Sequence, residues 1–358
     1  MTASISDALL DWYDRNARAL PWRNPPGAPL PDDAAWPYRV WLSEVMLQQT
    51  TVAAVKPYFE AFTRRWPTVE DLAAAPEDDV MAAWAGLGYY SRARNLVKCA
   101  RAVAARGGFP AEEAGLRELP GLGAYTSAAI AAIAFGRRAV VVDANVERVV
   151  ARLFALRQPL PGARKPIREK AEAITPEMRA GDFAQAMMDL GSQVCTAKAP
   201  RCLLCPLSSD CEGREKGIAE SLPIKPAKKA KPERRGTAFW IERINGPGRE
   251  VWLVKRPGTG MLGGMRALPD DGWSARDDGS GAAPWGGNPE GMWAGVWEDL
   301  GAVRHTFTHA HLTLGLRRAE ISGEPGGEGE WWPIERLEEA GLPTLYAKAA
   351  RLALARES

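Results

Sequence analysis

Histidine and cysteine are scarce in this chain, with three and five copies in 358 residues. A secreted domain stapled by disulfides spreads its cysteines along the sequence, whereas four of these five fall between positions 195 and 211. That clustering points to a metal site in a reducing compartment. No long apolar run occurs: the most apolar stretch, around Ala128 to Phe135, is far below the ~20 residues that span a bilayer. The first fifteen residues, MTASISDALLDWYDR, carry acids early and no apolar core, which argues against a secretory signal. A cytoplasmic protein is expected, associated with the nucleoid if bacterial, with no membrane partner. There is no excess of one charge either. Lys plus Arg is 46 and Asp plus Glu 44, so any affinity for nucleic acid rests on local distribution.

Length predicts two domains. Residues 1–213 read as mainly helical, with apolar residues at helical spacing over 52–65, 70–84, 91–106, 125–135 and 165–179. Residues 214–235 form a different texture, with eight basic residues, three acidic ones and three prolines, which is a linker composition. From 236 to 358 the strings TAFWIERI, EVWLVKRP and HTFTHAHLTLGLRRAEI read as strands, with helices near 334–341 and at the C-terminal end. This is an α+β domain. The Gly/Asp/Trp-rich stretch 270–297 reads as a variable insertion.

Cys195, Cys202, Cys205 and Cys211 are spaced C-x6-C-x2-C-x5-C. Thiolates ligate iron–sulfur clusters and zinc. Zinc sites pair their ligands in two short C-x2–4-C units, and only Cys202 and Cys205 form one, so the wide outer gaps favour a single 4Fe-4S cluster. Zinc and unligated thiols are the alternatives. Lys198 and Arg201 stand between the ligands, either for solubility or to meet phosphates. Cys99 reads as a buried small residue.

Residues 119–127, LPGLGAYTS, place a G-x-G turn between two helical segments. Gly121 and Gly123 let backbone approach a phosphate, and the amides of the next helix attract anions. By itself this is also a plain tight turn. Asp143, in VVDANVERV, reads from local pattern as a helix N-cap. Glu44, in WLSEVMLQQTTV, reads as a helix glutamate among apolar neighbours. Arg92, Arg94, Lys98, Arg101 and Arg106, with no acid from 86 to 106, read either as a face for phosphates or as solvated helix positions.

LPGLGAYTSAAI, then VVDANVERV, then four cysteines together resemble the helix–hairpin–helix, Gly/Pro-rich, aspartate class of DNA glycosylases. EVMLQQT at 44–50, GLGYYSRARNL at 86–96 and the C-terminal domain resemble, within it, the MutY family of adenine DNA glycosylases. The likeness runs over most of the chain and is highly specific in the first 213 residues. It implies a helical glycosylase domain with an iron–sulfur loop and a Nudix-like domain that recognises 8-oxoguanine.

The resemblance implies roles as well. Asp143 stabilises the oxocarbenium-like sugar, as a carboxylate does in glycoside hydrolysis, and Asn145 holds it or a phosphate. Glu44 is the general acid that protonates adenine, which calls for a raised pKa. Arg18, Trp22 and Arg23 in RALPWR, with Gln185 in FAQAMMDLG, form the adenine pocket, where an indole face and guanidinium donors suit a purine. Leu47, Gln48 and Gln49 fill the gap left by a flipped base, Leu87 and Tyr89 probe beside the partner base, and Thr50 lies near that partner. Relatives that also cut the backbone place a Schiff-base lysine at the hairpin. Tyr125 stands there here, so a monofunctional enzyme that leaves an abasic site is expected.

Phe307, Thr308 and His309 match the loop that detects 8-oxoguanine, with Thr308 in place of the usual serine. Read as one strand, HTFTHAHL would put His305, His309 and His311 on one face, which leaves a zinc site or a structural role open. RLEEAGL at 336–342 matches part of a Nudix box whose upstream spacing is missing, so pyrophosphate hydrolysis is not expected. The expected partner is double-stranded DNA with an adenine mispair, bound by a monomer. The alternatives are an endonuclease III-like glycosylase/lyase and a non-catalytic iron–sulfur DNA-binding protein.

Overall fold

The structure is a computed structural model and describes residues 4–226, 230–258, 260–282 and 297–355. The chain forms two compact units, residues 1–74 with 95–228, and residues 75–94 with 229–358. Among the described residues no helix is long and apolar enough to cross a membrane. Residues 283–296, half of the 270–297 stretch, lie outside the described residues.

In chain order the helices are α1 (Ile5–Asn16), α2 (Trp36–Met46), α3 (Val52–Arg65), α4 (Val69–Ala74), α5 (Glu77–Ala83), α6 (Ser91–Arg106), α7 (Glu113–Arg117), α8 (Ala124–Phe135), α9 (Ala144–Leu153), α10 (Arg164–Ile174), α11 (Ala180–Gln193) and α12 (Glu212–Glu215). The segment expected as one helix over 70–84 is two, because Pro76 cannot continue α4 and instead opens α5 as its N-cap. The helix expected at 165–179 ends at Ile174, two residues before Pro176.

The first unit is built around α8. Its sequence, AYTSAAIAAIAF, is apolar or small on every side, and Thr126 to Ala134 are buried. It packs against α2, α7 and α11. α2 is equally buried, from Trp36 to Met46 apart from Pro37 and Arg39. Gly191 of α11 lets α9 come close, since a Cβ there would lie 2.6 Å from the Cβ of Asn145. The turn between α7 and α8 depends on Gly121, whose φ is +78° and whose added Cβ would lie 2.8 Å from the Cβ of Asn95. Gly121→Ala should destabilise the protein by ~1–3 kcal/mol through left-handed strain and that contact. Chemical denaturation checks this, and Gly123→Ala serves as control because Gly123 has negative φ and open space around it.

The second unit is a mixed sheet of β1 (Glu233–Asn245), β2 (Gly248–Lys255), β3 (Arg266–Ala267), β4 (Glu298–Thr306), β5 (His311–Glu320) and β6 (Glu330–Pro333). Its order is β3-β2-β1-β5-β4, with β6 on β2. β1 and β5 run parallel and the other pairs antiparallel. α13 (Thr344–Ala355) closes one face, where Trp240, Leu253, Leu314 and Tyr346 are buried. Residues 334–340 form a 3-10 helix against β2 and β6.

HTFTHAHL is not one strand. β4 ends at Thr306, β5 starts at His311 opposite it, and residues 307–310 turn between them. The three histidines therefore share no strand face: His305 is on β4, His309 in the turn and His311 on β5, with His311 Nδ1 3.0 Å from Thr306 Oγ1. Among the described residues no group of three or more His, Cys, Asp or Glu closes on a single metal ion.

Candidate active site

The first unit holds a cavity of about 1080 Å3. Glu44, Tyr125, Asp143 and Asn145 line it, with Arg18, Trp22, Arg23 and Gln185, and with Leu47, Gln48, Gln49 and Thr50. Side chains expected from five separate sequence segments thus share one space.

Glu44 lies on the last turn of the buried helix α2 and is 6% exposed. The packing of α8 on α2 brings Tyr125 to it, and the Tyr125 hydroxyl donates to Glu44 Oε2 at 2.6 Å. Burial pushes the Glu44 carboxyl up to about 7; the Asp143 charge adds to this, while the Tyr125 hydrogen bond and Arg23 oppose it. The Tyr125 hydroxyl is held well above its usual range by burial and by the charge of Glu44. Together they form an acid that can carry a proton near neutral pH.

Asp143 is both an N-cap and a cavity carboxylate. Its Oδ1 accepts from the Val146 amide at 2.7 Å, at the start of α9, and its Oδ2 from Asn145 Nδ2 at 2.8 Å. The local sequence reading and the reading by resemblance therefore describe one residue. Asn145 is fixed in turn by Arg148, which donates to Asn145 Oδ1 at 2.9 Å, to Gly191 O at 2.6 Å and to Cys195 O at 2.7 Å. One helical turn on, the buried Arg152 donates to Cys195 Sγ at 3.3 Å and to the carbonyls of Thr196, Ala197 and Leu222. Neither arginine stands out in the sequence, because most of their partners are backbone carbonyls some 40 to 70 positions away.

Arg18 and Arg23 both line the cavity. Both are engaged by Asp189 on α11, which is fully buried. Trp22 between them is 4% exposed and meets Phe59 edge-on at 5.1 Å. Gln185 is buried, with Nε2 3.3 Å from Gly181 O. Beyond α2, Gln49 adopts φ +57° and is exposed, while Gln48 Nε2 donates to Thr126 Oγ1 at 3.2 Å. A left-handed glutamine is strained and is found where a side chain must be aimed.

Cys195, Cys202, Cys205 and Cys211 surround a second, small cavity with Arg152 and Arg214. Lys198 and Arg201 are exposed beside it. The basic run of α6 is less open than its composition suggests. Arg92 is buried, donates to Leu87 O and Gly88 O and stacks over Trp84; Arg94 reaches Gly263 O, Arg101 reaches Ala73 O and Arg106 pairs with Glu118. Lys98 is exposed, and with the four arginines engaged by the protein itself, phosphates have less to meet on this run than its composition suggests.

The second unit has its own cavity, of about 390 Å3, lined by Gly88, Tyr89, Arg94, Phe307, Thr308 and His309 among others. The Tyr89 hydroxyl and Thr308 Oγ1 are 2.8 Å apart. Leu87 is buried and Tyr89, with φ +49°, is exposed.

Residues 42–176 match the HhH-GPD superfamily of base excision DNA repair proteins, and residues 238–352 match the NUDIX domain. The human adenine DNA glycosylase is 33% identical over 96% of this chain and 73% of its own length. That of Mycolicibacterium smegmatis is 41% identical over 59% of this chain and 69% of its own length. A thermostable thymine-DNA glycosylase structure aligns with 59% of this chain and 95% of its own, at 30% identity and a TM-score of 0.52. The protein is a DNA glycosylase of base excision repair, and the chain belongs to the adenine DNA glycosylase family.

Proposed function

We propose that the protein hydrolyses the N-glycosidic bond of adenine mispaired with 8-oxoguanine or guanine and leaves an abasic site without cutting the strand. The observation that carries this is one cavity holding a buried carboxyl with a raised pKa, Glu44, and a second carboxylate fixed at a helix start, Asp143. Glu44 protonates the flipped base, Asp143 stabilises the cationic sugar, and water completes the reaction. Tyr125 serves Glu44 and Asn145 orients Asp143. No lysine lines the cavity among the described residues, and a Schiff-base lyase needs such an amine. Duplex DNA with a single adenine opposite 8-oxoguanine tests the reading. Alkali after incubation should cut at that adenine, borohydride should trap no adduct, and intact DNA would overturn the assignment.

The four cysteines fit a 4Fe-4S cluster. They line one small cavity, and because only Cys202 and Cys205 form a short C-x2-C unit, their spacing supports a cluster over zinc. Arg152 offers a charge-assisted hydrogen bond to one thiolate. Bound there, a cluster would tie down the loop that carries Lys198 and Arg201, while Glu44 and Asp143 line the other cavity. Iron and sulfide analysis should find four of each per chain, with both lost in Cys205→Ser.

Partner recognition falls to the second unit. Thr308, with its hydroxyl already meeting Tyr89, supplies the donor that the resemblance assigns to 8-oxoguanine. Thr308→Ala should lower the rate opposite 8-oxoguanine about 5-fold, the worth of ~1 kcal/mol of hydrogen bonding, and lower it less opposite guanine. Single-turnover assays on the two duplexes check this.

A further inference from the structure

The buried carboxylate of Asp189 is not among the residues lining the active-site cavity and is accounted for by none of the roles above. It receives every bond it makes from the wall of the active-site cavity. Arg18 donates its backbone amide to Oδ2 at 3.2 Å and Nε to Oδ1 at 2.7 Å, with Nη2 at 2.6 Å from Oδ1. Arg23 forms a fork, Nη1 to Oδ2 at 2.7 Å and Nη2 to Oδ1 at 2.9 Å. The two arginines bracket Trp22, so one carboxylate fixes both ends of the segment that presents the indole. Gln185 lies four residues before Asp189, on the same face of α11, and also lines the cavity.

We infer that Asp189 is a positioning residue for base excision: it locks Arg18, Trp22 and Arg23 as a rigid cavity wall and offsets the positive charge of Arg23 beside Glu44. The inference rests on the general-acid role proposed for Glu44. An unpaired guanidinium near a carboxyl favours its ionised form and so removes the proton the reaction needs. The groups that face Glu44 are Tyr125 from α8, Asp143 from the start of α9 and Arg23 from the segment after α1. Of these only Arg23 is cationic, and Asp189 is its counter-charge. An ordinary structural ion pair would anchor the loop and leave the acid's titration alone.

The test is the pH profile of single-turnover adenine release by the full-length, cluster-loaded protein. In wild type the rate falls as pH rises through the titration of Glu44. In Asp189→Asn that alkaline limb should move to lower pH by roughly one unit, as expected for an opposite charge left uncompensated nearby, and the rate at pH 7.5 should fall at least ~10-fold. Asp189→Glu keeps the charge and shifts the fork, so its limb should stay with wild type while its rate is intermediate. Asp189→Asn with Arg23→Gln restores the charge balance and should return the limb to the wild-type position, although the rate stays low. A wild-type limb in Asp189→Asn overturns the inference. Where Asp189→Asn alone gives no cooperative melt, a displaced limb in the double variant or in Asp189→Glu overturns it. Failure of the underlying reading looks different: a wild type without an alkaline limb, or an active Glu44→Gln, removes the acid and the inference with it.

Discussion

Glu44→Gln should bind duplex DNA with an adenine opposite 8-oxoguanine and fail to release the base, with a single-turnover rate at least ~10^3-fold below wild type at neutral pH. Adenine leaves poorly as an anion, and general acids contribute ~10^2–10^4-fold to such steps. Glutamine keeps the shape of the side chain and can still accept from Tyr125, so the hydrogen bond of 2.6 Å has a successor and the helix keeps its packing. Only the transferable proton is gone. The wild-type rate should therefore be highest below pH 7 and fall above it, because burial raises the carboxyl to about 7 and the protonated form is the active one. Stability gives an independent check with the opposite sign. A glutamate whose pKa is raised on folding contributes stability that is full below its unfolded value of 4.5 and is lost as pH climbs through about 7. Glutamine does not titrate, so above pH 7 the variant should melt higher than wild type. Loss of activity together with a higher melting temperature separates a catalytic role from a structural one. An active variant would sink the assignment of Glu44.

The parts of this molecule that were legible in its sequence are those carried by local pattern. α3 and α6 end where their apolar spacing ends, and Asp143 announces itself as an N-cap three residues before the amide it accepts. Glu44 was legible in a weaker sense: its apolar neighbours show burial, but its chemistry depends on Tyr125, which is 81 positions away. The same holds more strongly for Asp189. In QAMMDLG it looks like the polar residue of any helix, and nothing nearby reveals that Arg18 and Arg23, 171 and 166 positions earlier, converge on it. The HTFTHAHL string misled for the reverse reason. Its alternation continues through a turn, and alternation does not report a change of chain direction. On α6 a count of cations could not show that four of them reach carbonyls or carboxylates of the protein itself.

Asp143→Asn is the second variant with a large expected effect, and the choice of asparagine is what makes it informative. Asparagine is as good an N-cap as aspartate, so the bond from the Val146 amide is retained and α9 should start where it does now. Alanine would remove cap and charge together, and a fall in activity could then be assigned to either. What asparagine removes is the negative charge opposite the sugar. At an effective dielectric of about 20 and a separation of ~4 Å, one charge pair is worth about 4 kcal/mol, which is ~10^3 in rate. The single-turnover rate should fall by that order, with the melting temperature close to wild type. Part of the loss has a geometric source: with the side-chain oxygen kept on the Val146 amide, the new Nδ2 takes the place of Oδ2 and faces Asn145 Nδ2, donor against donor. Asn145→Ala isolates this part: it keeps the charge, frees one oxygen and leaves Arg148 with one acceptor fewer. Its rate should therefore fall between wild type and Asp143→Asn. If Asn145→Ala instead proves as slow as Asp143→Asn, orientation rather than charge limits the step, and the electrostatic account of Asp143 fails.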